Sequence, residues 1–209
     1  MRIITLFNDG WRFIQKDVGL DGIAKAKMTA VTVPHTWNNL DGQDGGDNYY
    51  RGRCWYEKSY VTPKDLGSDR LYLDFAGVSS IAEVYVNGTK AITHEGGFSR
   101  FRCDITGLLN PAGKKNSIVV SADTTENERV YPQVADFTFF GGIYRDVSLI
   151  RVNESHFDLD YLGGPGIAVN AKPHDGIADV EVRVYTTNIK DGMTVKVALE
   201  GENAGEPVT

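Results

Sequence analysis

Apolar positions recur every second residue along much of the chain. Leu71, Leu73 and Phe75 alternate with Tyr72 and Asp74. Ala82, Val84 and Val86 alternate with Glu83 and Tyr85. Val180, Val182 and Val184, then Met193, Val195, Val197 and Leu199, repeat the pattern. A period of two predicts strands, each with one buried face. Trp55–Val61, Asn116–Ala122 and Arg145–Val152 read as further strands. Asn87-Gly88 directly follows the Val84–Val86 run, and this dipeptide is the strongest short hairpin signal. No stretch carries the helical period between caps, and Lys25–Ala30 has helix-forming residues but is too short. The pattern predicts a nearly all-β chain, arranged as a sandwich or jelly roll.

A boundary is expected near residue 152. Before it lie long aromatic loops, Asp41–Arg53 and Asp123–Gly142. After it, short strands are spaced around Gly163-Gly164-Pro165-Gly166 and Asp175-Gly176. The predicted domains are 1–152 and 153–209. The second holds about four strands, whereas an immunoglobulin-type sandwich needs about seven and ~100 residues. It is therefore expected to be truncated, and the chain to be a piece of a longer protein.

Composition narrows the function. The 209 residues carry a net charge of -6, which argues against nucleic-acid binding by clustered cations. Cys54 and Cys103 are too few for a disulfide scaffold or a zinc cluster. No apolar leader follows Arg2 and no segment approaches 18 apolar residues, so the expected location is cytoplasmic, away from membranes.

Three segments are candidates for chemistry. Asp41, Asp44 and Asp47 could ligate calcium, but their spacing does not match the helix-flanked calcium loop, and a solvated glycine-rich turn is the plainer reading. His35, in Val33-Pro34-His35-Thr36-Trp37-Asn38, lacks a neighbouring nucleophile and reads as a packed residue; Asn38 and Asn39 could bond a hydroxylated ligand. The segment Ala135–Asp146 crowds three Phe beside Asp136, a Gly pair and Tyr144. Aromatic faces beside a few polar groups suit a sugar, though on composition alone an aromatic core plug with a surface Asp is the plainer reading. No credible pair of catalytic carboxylates, phosphate loop, GxSxG or HExxH is present.

These residues also carry a resemblance. Phe7-Asn8-Asp9-Gly10-Trp11-Arg12-Phe13, Val33–Asn38, Tyr50-Arg51-Gly52 leading to Trp55–Lys58, Ala82–Gly88 and His94–Phe98 resemble, in order, the N-terminal part of glycoside hydrolase family 2. The string Asp136–Val147, DFTFFGGIYRDV, is similar to the β-galactosidase branch. The resemblance implies a galactose-binding-like jelly roll followed by the start of an immunoglobulin-like sandwich. It implies a later (β/α)8 barrel bearing two catalytic Glu that act with retention, so no catalytic residue is expected in this chain. Asp136 matches the family's sugar-reaching Asp, which in some members also ligates sodium. Asn38, Asn39 and Asp41 fall where members place another sugar-facing loop. Arg145 and Asp146 are expected to pair and anchor the loop. The fragment itself is expected to need no cofactor beyond Na+, with Mg2+ a matter for the full-length enzyme, and homo-oligomers are expected. The readings in contention are the non-catalytic lobe of a β-galactosidase or another family 2 β-glycosidase such as a β-glucuronidase, an autonomous carbohydrate-binding module, and an assembly module.

Overall fold

The computed structural model describes residues 1–41, 49–131 and 138–200. It divides into two compact units: Arg2–Arg151, and Met1 with the chain from Val152 onward.

The larger unit is built from ten strands. These are β1 (Arg2–Leu6), β2 (Trp11–Ile14), β3 (Thr29–Val31), β4 (Arg53–Val61) and β5 (Arg70–Phe75), then β6 (Ile81–Val86), β7 (Thr89–Glu95), β8 (Phe101–Asp104), β9 (Lys115–Asp123) and β10 (Val147–Val152). Six form one sheet in the order β3-β2-β4-β9-β6-β7, and four form another in the order β1-β10-β5-β8. One core joins both sheets. Trp11, Tyr56, Ala82, Val84, Val86 and Ile118 come from the larger sheet, and Leu71, Leu73, Phe75 and Phe101 from the smaller. The period of two works as expected in β6, where Ala82, Val84 and Val86 are fully buried. Asn87 (φ 51°) and Gly88 (φ 83°) make its turn, and Val86 then pairs with Thr89. A two-residue hairpin needs positive φ at both turn positions, which Asn and Gly tolerate. The segment before β3 forms only a four-residue helix, Gly19–Gly22, and a short 3-10 turn, Ile23–Lys25. Ile23 packs on the outer face of the larger sheet with Trp55 and Val119. Asp17 accepts the indole N–H of Trp55 at 2.8 Å.

Four connections gather at one end of this sandwich: β3–β4, β5–β6, β7–β8 and β9–β10. At the other end, buried Asn116 holds the turns together. Its Nδ2 donates to Thr62 Oγ1 at 2.9 Å and to the Tyr60 carbonyl at 3.1 Å. Its Oδ1 accepts the Asn110 N–H at 2.7 Å and Asn87 Nδ2 at 2.9 Å. Cys54 and Cys103 are buried free thiols, and burial pushes the Cys54 thiol up to about 12.

The second unit departs from expectation in two places. Its described strands are β11 (His156–Phe157), β12 (Ile167–His174), β13 (Ile177–Val184) and β14 (Thr186–Thr187), paired as β11-β14 and β12-β13. β13 forms where Val180, Val182 and Val184 alternate, but no residue of it is buried. Two strands alone do not cover each other's faces. Residues 193–199 form no strand beyond a single bridge position at Val197, and Met193 and Leu199 are exposed. Alternation supplies an apolar face, but a strand also needs a neighbour to take its backbone hydrogen bonds. Among the described residues no helix is long and apolar enough to cross a membrane.

Asn116→Leu is expected to strand several buried donors and acceptors and to lower stability by about 2–4 kcal/mol, read as a lower urea midpoint for the chain. A change below ~0.5 kcal/mol would show that the network is dispensable.

Candidate functional site

The chain returning from β9 to β10 is held from three sides at the four-loop end. His35 N–H donates to the Ile143 carbonyl at 2.8 Å, and Trp37 N–H to that of Gly141 at 3.4 Å. Ser79 N–H donates to the Gly142 carbonyl at 3.0 Å. Ala76 N–H reaches the Asp146 carbonyl at 3.0 Å. The Val33–Pro34 and Ser79–Ser80 peptides at this end are cis.

The Gly141-Gly142 pair follows from this packing. A methyl group on Gly141 would meet the Trp37 ring at under 3 Å. One on Gly142 would lie 2.8 Å from the His35 carbonyl and closer still to the Tyr56 hydroxyl, and Gly142 has φ +115°. Only glycine fits both the space and the dihedral. Beneath it, His35 Nδ1 and the Tyr56 hydroxyl are 2.9 Å apart, and both rings pack on Phe13. Burial lowers the proton affinity of His35 and pushes the Tyr56 phenol up, so both are held neutral.

Asn38 is 2% exposed and its side chain points into the fold. Nδ2 donates to the Phe139 carbonyl at 2.7 Å. Oδ1 accepts Gly141 N–H at 2.9 Å and the Thr36 hydroxyl at 2.7 Å. The Tyr49 hydroxyl donates to Thr138 Oγ1 at 2.7 Å. Trp37 Nε1 donates to the Tyr50 carbonyl at 3.3 Å, and Asp41 Oδ2 accepts Tyr50 N–H at 3.2 Å. Asn39 is exposed. Asp136, read both as sugar contact and as sodium ligand, lies outside the described residues, as do Asp44, Asp47 and Phe137. Among the described residues no group of three or more His, Cys, Asp and Glu is placed to hold a metal ion.

The expected pair between Arg145 and Asp146 is not formed. Arg145 Nη1 donates to the Phe98 carbonyl at 3.0 Å, while Asp146 Oδ1 accepts Asn8 Nδ2 at 2.8 Å. The two side chains thus run to different neighbours, and each anchors the loop separately. The Tyr144 hydroxyl donates to the Gly97 carbonyl. Asn8 also accepts Val147 N–H at 2.9 Å, which gives the second residue of Phe7–Phe13 a role that the sequence reading did not assign. Tyr49 and Ser79 were likewise missed, because nothing local marks a residue whose partner lies 89 or 63 positions away. Exposed apolar groups at this end are Leu40, Phe98, Tyr131 and Phe140, with Phe98 and Tyr131 edge to face at 6.5 Å. Among the described residues, this end presents hydrogen-bonded backbone and exposed aromatic groups.

The glycosyl hydrolase 2 galactose-binding domain-like model matches residues 44–169. The chain belongs to this family. A β-glucuronidase from Bacteroides fragilis is 40% identical over 164 residues, which is 78% of this chain and 22% of that protein. A β-galactosidase from Thermoanaerobacter pseudethanolicus is 28% identical over 186 residues, 87% of this chain and 24% of that one. The crystal structure of an FMN-binding β-glucuronidase from F. prausnitzii L2-6 is 42% identical with a TM-score of 0.78, covering 91% of this chain and 29% of that one. The chain thus spans under a third of each relative. The galactose-binding-like domain of the family accounts for the all-β sandwich described above.

Two outcomes are expected. Gly142→Ala should destabilise the chain by ~3 kcal/mol or more, because strain and overlap add, whereas Gly67→Ala, at positive φ with no atom within 4 Å, should lose about 1 kcal/mol. Equal urea midpoints for the two would contradict the packing account. The second concerns pH. Unfolded His35 takes a proton near pH 6.5, and folding lowers that affinity. The unfolded state therefore binds more protons as pH falls through that value, and stability falls with it. Urea midpoints should decline from pH 7 to 5.5, and His35→Gln should flatten the decline; an unaltered slope would clear His35.

Proposed function

We propose that this chain is a non-catalytic N-terminal lobe of a retaining β-glycosidase, lending one wall to an active site completed by a barrel elsewhere in the protein. The observation that carries this reading is the pinned 138–146 segment, in a chain similar to the glycosidases named above. A wall held by buried bonds can present a loop to a substrate without reshaping. Asp136, two residues before Thr138, is the proposed sugar contact; a carboxylate there can accept sugar hydroxyls and hold a sodium ion through hard oxygen. Asn39 and Asp41 lie on the neighbouring loop. Assembly into homo-oligomers belongs to the same proposal.

Two sugars are in contention. The Asp136–Val147 string supports a β-D-galactoside. Its glycines, however, answer to Trp37, Tyr56 and His35, so that string reports packing more than sugar. The names of the relatives at 40% and 42% identity support a β-glucuronide, and we take it as the first substrate to try.

The complete protein is expected to cleave nitrophenyl β-glucuronide or β-galactoside with retention, while the purified 209-residue chain cleaves neither. Asp136→Ala in the complete protein should lower kcat/KM by roughly 100-fold or more, the scale of a lost polar contact in a closed site. Turnover by the chain alone, or none by the complete protein, would sink the proposal. Saturable binding of either sugar by the isolated chain would favour an autonomous binding module instead.

A further inference from the structure

We infer that Asn38 is a positioning residue of the proposed enzyme: its buried carboxamide sets the backbone on both sides of Phe140 and so fixes the root of the substrate-facing loop. The inference rests on the functional reading above and adds a residue that acts without touching substrate.

The geometry is specific. Phe139 and Gly141 lie 101 and 103 positions from Asn38, and the carboxamide bridges them. Backbone chemistry settles its orientation, since a carbonyl can only accept and an N–H only donate. Thr36 donates a third bond to Oδ1 and holds the amide plane. Below, Gly141 and Gly142 rest against Trp37 and Tyr56, so the segment cannot settle deeper. At its start, Tyr49 holds Thr138. Thr138, Phe139, Gly141 and Gly142 are thus each bonded to a distant part of the unit, and Phe140 is left 47% exposed between them. An apolar residue at position 38 could fill the space, but it could not set the distance between two backbone groups. A fully satisfied buried polar network specifies geometry in this way.

A residue needed only for folding would give a different signature from a positioning residue. Asn38→Asp provides the contrast. A protonated carboxyl reproduces the amide: one oxygen accepts Gly141 N–H and the other donates to the Phe139 carbonyl. The ionised form sets two acceptors together and loses that bond. The test compares kcat/KM of the complete wild-type protein and Asn38→Asp from pH 8 to 5, well below the melting temperature of either. The variant is expected to be at least ~10-fold impaired at pH 8 and to regain most of that loss relative to wild type by pH 5. Thr36→Val, which removes the third bond with little change of volume, should show a smaller loss with no such recovery, and it serves alone if Asn38→Asp does not fold. A folded Asn38→Asp whose ratio to wild type is near one throughout, or low but independent of pH, overturns the inference; so does a fully active Thr36→Val where that variant stands alone. If wild type is inactive on both nitrophenyl glycosides, the functional reading falls and the inference with it, whereas an active wild type with unimpaired variants removes the inference only.

Discussion

Where the β9–β10 connection re-enters the sandwich, its backbone comes so close to Tyr56, Trp37 and the His35 carbonyl that no side chain fits between them. This approach sets the loop end. It lets His35, Trp37 and Ser79 donate to three successive carbonyls, from Gly141 to Ile143. It also brings the Phe139 carbonyl and the Gly141 N–H to the Asn38 carboxamide. A wider approach would leave backbone groups of a buried segment without partners, and such groups are expensive to strand. The two glycines are therefore a packing requirement first, and whatever the loop presents is a consequence.

Much of the sandwich was legible as a pattern. β5 and β6 announced themselves through alternation, and the β6–β7 turn through Asn87-Gly88. The strands that escaped the pattern escaped it for physical reasons. β1 reads Arg-Ile-Ile-Thr-Leu and is exposed along its whole length, so no alternation could mark it. β13 and residues 193–199 erred in the other direction: they alternate, yet an apolar face is a capacity for burial, and burial needs a second surface.

Legibility at the site was of another kind. The segments that matter, Val33–Asn38 and Asp136–Val147, stood out at once. Which atoms face outward did not. Asn38 in a polar loop read as a ligand contact, and the two backbone groups that it bridges lie over 100 positions away. Arg145 and Asp146 were expected to pair, whereas their bonds run to Phe98 and Asn8. Side-chain direction at such positions is set by long-range packing, which no local period encodes.

Among the described residues, several polar side chains at this end are engaged with the protein itself. Asn38 holds two backbone segments, Asp41 holds Tyr50, Asp146 holds Asn8, and Glu95 pairs with Arg129 at 2.6 Å. Tight ligand sites enclose some 70–90% of the ligand's surface, whereas a single open wall buries little of a sugar. Its useful property is fixity. In a pocket closed from the other side, binding and chemistry would be supplied there, and this lobe would contribute the position of a few groups. Small errors in such positions are costly to a reaction even when they are nearly invisible to folding. That is why a buried amide at the root of a loop can matter to turnover more than an exposed residue at its tip.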